Sequence, residues 1–174
     1  IHVSGMPRYC SSPAIARPGA DGVISLSARD AVVHGEKMQF EPLTHKNTVG
    51  YWVNPQDFAE WSYALDTPGE FEVEIMQGCG GHAGSQVELE FSEGSVPFVV
   101  EETGHFQNFV WRKIGRVVLK EMGTQKVALR CRKLAKAAVM DVRQIRLIPT
   151  TSNEPTVRDQ RDVEADLVPP LAMT

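Results

Sequence analysis

The chain has few of the marks by which catalytic or membrane proteins announce themselves. No window approaches the roughly 18 to 20 consecutive apolar residues of a membrane-spanning helix. There is no Gly-x-Ser-x-Gly elbow, no Ser-x-x-Lys and no His-Glu-x-x-His, so the common nucleophile and zinc-protease signatures are missing. The five histidines are scattered, and none pairs at a four-residue spacing. The three cysteines, Cys10, Cys79 and Cys131, form no Cys-x-x-Cys, which argues against a zinc site of that type. An odd number forbids complete internal pairing and leaves a Cys79–Cys131 bridge open. A positive excess is also lacking. The net charge is -4, which disfavours nucleic acid as a partner.

What is present is a globular composition, 42% hydrophobic and 23% charged over 174 residues, enough for one domain with a real core. Residues 1–20 are punctuated by Gly5, Pro7, Pro13 and Pro18 and read as an arm or linker. Residues 150–174 are polar, then proline-rich, and read as a tail in which 156–165 has weak helical character. The folded body is expected over 21–149. A chain that opens on Ile1 with no leader reads as a mature chain or an excised piece.

Within the body the dominant period is two. Trp61, Tyr63 and Leu65 alternate with polar neighbours. So do Phe71, Val73 and Ile75 with Glu70, Glu72 and Glu74, and Val87, Leu89 and Phe91 with Glu88 and Glu90. Val127, Leu129 and Cys131 follow the same rule. Such alternation is the signature of half-buried antiparallel strands. Turn residues fall between the runs, at Pro68-Gly69, Gly78 to Gly84, Gly94, Gly104 and Gly123. The pattern predicts an all-β fold, an antiparallel β-sandwich of jelly-roll type. The final strand, 139–148, changes phase near Arg143, which predicts a bulge. The glutamates read as an acidic, solvated sheet surface, and the basic cluster from Lys113 to Lys136 as a solvated strand face. The window 133–138 is too short to stand as a helix.

Candidate chemistry is aromatic and amide in kind. Sugars offer C–H faces to rings and hydroxyls to planar donors and acceptors. Tyr51, Trp52 and Asn54 supply these groups in four residues, and His105 and Asn108 supply them again after Gly104. Tyr51 and Trp52 are adjacent, so in a strand they point to opposite faces and at most one is core. An enzyme reading would draw first on His82, His105 and Glu102.

The order of Gly50-Tyr51-Trp52-Val53, Trp61-Ser-Tyr, Pro68-Gly69-Glu-Phe-Glu-Val, Thr103-Gly104-His-Phe-Gln-Asn-Phe, Gly123-Thr-Gln-Lys-Val-Ala-Leu and Val139-Met-Asp141-Val-Arg-Gln-Ile resembles the galactose-binding-like carbohydrate-binding modules of families 6 and 35. It is similar above all to accessory domains appended to secreted bacterial sulfatases and glycosidases. The resemblance covers about 24–148. It implies a jelly roll that binds glycan or polysaccharide without catalysis, in a secreted or periplasmic protein with a companion catalytic domain. It also implies a structural calcium. Where those modules open with Glu-Ala-Glu, this chain has Ser27-Ala28-Arg29-Asp30, leaving Glu41 and Asp141 as the remaining metal candidates. The family's Trp after the Thr-Gly turn is replaced by His105 and Phe106. Those losses favour, as the alternative, a protein-interaction sandwich that has given up sugar. A jelly-roll lyase or hydrolase is the third reading.

Overall fold

The period-two runs fold as strands whose apolar faces meet across two stacked sheets. The computed structural model describes residues 14–150, and 12 strands run through them. In chain order they are β1 (Ile15–Ala16), β2 (Ile24–Ser27), β3 (Val32–His34), β4 (Gln39–Glu41), β5 (Thr48–Gly50), β6 (Phe58–Leu65), β7 (Gly69–Gly78), β8 (Gln86–Phe91), β9 (Gly94–Val99), β10 (Val110–Leu119), β11 (Gly123–Lys133) and β12 (Asp141–Pro149). One sheet runs β1-β6-β11-β8-β9, with β3 also on β6. The other runs β10-β7-β12-β5-β4, with β2 also on β12. The short β1–β6 pair is parallel and the other pairings are antiparallel. This is the all-β sandwich the alternation predicts. The sheet takes in Ile15 and Ala16, which sequence assigned to the arm. Cys10 and the 156–165 window lie outside the described residues.

The inward faces carry the expected residues. Trp61, Tyr63, Phe71, Val73, Ile75, Leu89, Leu129, Ile145 and Leu147 are all buried. A one-residue slip in any strand would turn that set to water, so burial fixes the register. Trp61 also ties the sheets together, its indole N–H donating to the Ser27 carbonyl at 2.8 Å. The Tyr63 phenol is pushed up to about 12, chiefly by burial, with Glu93 and Glu121 adding to it. Cys79 and Cys131 are buried thiols and are not bridged. Both are raised by burial.

The outer faces differ from expectation. Glu70, Glu72 and Glu74 are not an acidic surface. Arg116, Lys113 and Arg146 on the flanking strands meet them at 3.1, 3.0 and 3.0 Å. In the other sheet Arg132 reaches both Glu88 and Glu90, and Arg130 lies 3.4 Å from Glu90. The basic cluster and the glutamates therefore neutralise each other across strands, in pairs worth under about 1 kcal/mol each where exposed. Residues 133–138 form no helix, and the described residues hold one short 3-10 turn, Ala28–Asp30. No helix among the described residues is long and apolar enough to cross a membrane. The bulge near Arg143 is present, between Val142 and Gln144.

Candidate functional site

The site begins where β5 ends. Gly50 is buried, and Tyr51 follows in the left-handed region at φ 54°. The chain reverses locally there, with the Val53 N–H donating to the Tyr51 carbonyl at 3.0 Å. Tyr51 is 53% exposed, whereas Trp52 is 1% exposed. The Trp52 indole donates to the Asp57 carbonyl at 3.0 Å, and its own carbonyl accepts from Val139 N–H at 2.9 Å. Adjacent side chains have separated, one outward and one inward, at a left-handed turn after β5 rather than by the alternation of a strand. The stacking role expected of Trp52 is corrected: its ring belongs to the core.

The loop between β4 and β5 brings cations to this end. The Lys46 ammonium lies 2.5 Å from Glu41 Oε2 and 5.8 Å from the Tyr51 ring centre. Arg143, re-aimed by the bulge, donates from Nε to the Lys46 carbonyl at 3.1 Å. Its Nη2 donates to the carbonyls of His45 and Lys46 at 2.9 and 2.8 Å. The same guanidinium stacks on Phe109, 3.9 Å from the ring centre. Contacts thus link Tyr51, Lys46, Arg143 and Phe109 from the β5 exit to the loop before β10.

That loop carries His105 and Asn108. It is brought alongside because Asp141 pairs with Gly78, and Gly78 packs against the Phe106 carbonyl where any Cβ would collide. Its polar groups mostly hold the loop itself. Asn108 Nδ2 donates to the Thr103 carbonyl at 2.5 Å, and His105 Nδ1 accepts from Gln107 N–H at 3.0 Å. Glu102 accepts from Gly81 N–H at 2.7 and 2.9 Å and from Gly104 N–H at 2.9 Å, stapling the two glycine loops together. The His82 ring packs on Phe106, 5.6 Å centre to centre. Asn54 is spent on a turn, its Oδ1 accepting from Gln56 N–H at 2.9 Å. Among the five expected ligand residues, Tyr51 and His105 present exposed rings, Trp52 is core, and Asn54 and Asn108 serve local backbone.

Glu41 and Asp141 do converge. They flank Gly50, where a Cβ would strike Glu41 Oε1 and lie 3.2 Å from Asp141 Oδ1. Burial pushes the Asp141 carboxyl up to about 7, the Glu41 charge adds to this, and Lys46 opposes it. The Glu41 hydrogen bond raises Lys46. Calcium takes six to eight oxygens. Here the acidic donors are two and one already holds an ammonium. No group of three or more His, Cys, Asp or Glu converges among the described residues. Ser27 spends its carbonyl on Trp61 and Arg29 is exposed. This donor set does not fit calcium.

Sequence reasoning missed Lys46, Arg143 and Phe109. The phase change at Arg143 was the one usable signal, since a bulge re-aims a side chain. Lys46 sits in the turn between β4 and β5, and the sequence does not show that this turn folds its ammonium back onto Glu41 at the end of β4.

No family model matches the chain, and no curated protein matches it. Solved structures do. The C-terminal family 6 carbohydrate-binding module of LamC, a marine laminarinase from Zobellia galactanivorans, superposes with a TM-score of 0.59 at 17% identity, covering 72% of this chain and 98% of that one. A family 35 carbohydrate-binding module from Clostridium thermocellum gives 0.58 at 16% identity, covering 74% and 98%. The insecticidal crystal protein Cry2Aa gives 0.59 at 12% identity, over 78% of this chain and 23% of that one. The chain has the β-sandwich fold of the galactose-binding-like carbohydrate-binding modules of families 6 and 35. At these identities the likeness is one of fold, and a toxin shares it.

Proposed function

We propose that this domain is a non-catalytic carbohydrate-binding module that contacts glycan through the exposed face of Tyr51, with His105 on the neighbouring loop supplying a ring nitrogen to a hydroxyl. The observation that carries the reading is the backbone of Tyr51. A left-handed conformation in a bulky residue costs about 1–2 kcal/mol, and such strain collects where a side chain must be presented. Here it presents an aromatic ring to solvent at the end of the sandwich, with a cation below it. A flat aromatic with polar neighbours suits the C–H face of a pyranose. Binding through so small a surface is weak, and its use is to raise the local concentration of a tethered catalytic domain on its polysaccharide. That role places the full protein outside the cytoplasm, secreted or periplasmic. The test is a glycan array spanning neutral and acidic polysaccharides, followed by Tyr51→Ala and His105→Ala on each hit. Tyr51→Ala should abolish retention and His105→Ala reduce it. Failure to bind any glycan sinks the reading.

A second reading rests on Leu43, Tyr51 and Val53, three exposed apolar side chains carried by this end of the sandwich. An apolar group of this kind suits docking on a companion domain. It predicts that Leu43→Asp weakens association with that domain and leaves any glycan binding intact.

A further inference from the structure

We infer that Lys46 serves as the resident cation of the Glu41–Asp141 pair, so that this sandwich closes its β4–β5 end with its own side chains and takes no calcium there. The inference does not depend on glycan binding. Two carboxylates brought against Gly50 in a largely buried place need a countercharge, because an uncompensated buried charge is strongly destabilising. Lys46 supplies it. Its ammonium lies 2.5 Å from Glu41 Oε2, and the two side chains are 23% and 10% exposed. Backbone oxygens of the loop that carries Lys46 are engaged as well. The carbonyls of His45 and Lys46 accept from the Arg143 guanidinium. The arrangement therefore divides a divalent ion's work between two monovalent side chains. Lys46 neutralises carboxylate, and Arg143 saturates carbonyls and pins the loop to β12 and Phe109. The tight turn that delivers Lys46 is fixed by its own N–H and that of Asn47, both donating to Leu43 O at 2.8 and 2.7 Å.

The test is thermal unfolding of the purified chain with millimolar calcium and with EDTA, alongside terbium luminescence as a direct probe of ion binding. The wild-type midpoint should be the same in both conditions, and terbium should give no saturable signal. A midpoint raised by calcium or lowered by EDTA overturns the inference, as does saturable terbium emission abolished by Asp141→Asn. Lys46→Met should lower the midpoint, and Glu41→Gln added to it should recover part of the loss, because the second change removes the stranded charge. A Lys46→Met midpoint equal to wild type overturns the inference. If Lys46→Met does not fold, Lys46→Arg should still fold with a midpoint near wild type, and failure of Lys46→Arg as well overturns the assignment.

Discussion

Arg143 holds its guanidinium 3.9 Å over the Phe109 ring while donating to the carbonyls of His45 and Lys46. One side chain thereby joins the β4–β5 loop to the loop before β10. Arg143→Ala should cost about 1.5–3 kcal/mol, the range for hydrogen bonds involving a charged group. Arg143→Lys should recover little of it, since an ammonium cannot stack flat and fork at once. Urea denaturation of the three proteins measures this. Equal stability of the lysine variant and wild type would contradict the fork geometry.

Tyr51 and Trp52 should separate binding from stability. Trp52→Ala opens a cavity at a 1% exposed position and should destabilise by roughly 3–5 kcal/mol. Tyr51→Gly should do the reverse, gaining about 1 kcal/mol by relieving the left-handed backbone while losing glycan retention. Paired denaturation and affinity electrophoresis show whether the two effects divide in this way.

Asp57 supplies an acid-sensitive contact. Its carboxylate accepts from the N–H groups of Glu36, Lys37 and Met38 at 3.0, 2.9 and 3.0 Å. Burial pushes this carboxyl up, but the three amides together hold it below its ordinary value. A depressed carboxyl stabilises the fold above its unfolded value, about 3.9, and that contribution is lost as pH falls through the folded value. The wild type should therefore lose stability more steeply below about pH 4 than Asp57→Asn does. At neutral pH the variant should be less stable by about 1–3 kcal/mol. Denaturant midpoints across pH 2–7 (a span set about the ordinary carboxylate value) test the slope, and parallel curves would refute it.

Gly78→Ala should detach the His105 loop. The new methyl would run into the Phe106 backbone carbonyl, and backbone yields less readily than a side-chain tip. Overpacking of this kind costs about 1–3 kcal/mol. Hydrogen exchange should rise at Gly81 and Thr103, whose amides bridge the two loops. Unchanged exchange there would mean that the loop is held independently of Gly78.

The strands with the strictest alternation were legible. The run from Phe58 to Leu65 and the run around Phe71, Val73 and Ile75 fold as β6 and β7. The short strands β1, β3, β4 and β5 were not, because two to three residues carry no period. At the candidate site, the Tyr51–Trp52 contrast was legible as the expectation, drawn for a strand, that one ring leave the core, although the pair lies past the end of β5. Which ring left was not, since the answer depends on the left-handed turn at Tyr51 and on Asp57 accepting the Trp52 indole. The side-chain amides of Asn54 and Asn108 looked available because sequence shows what a group can bond, not what already occupies it.

Composition and period by themselves determined that the chain is a two-faced β-sandwich. Burying every second residue along several strands leaves few other packed solutions. Charge placement was left to the tertiary structure. Only cross-strand register turns Glu70, Glu72 and Glu74 from an acidic surface into half of a neutral one. Only the meeting of β4, β5 and β12 sets Glu41, Asp141 and Lys46 together. Interactions between residues 5 to 100 positions apart follow distance in space, and the sequence records only distance along the chain.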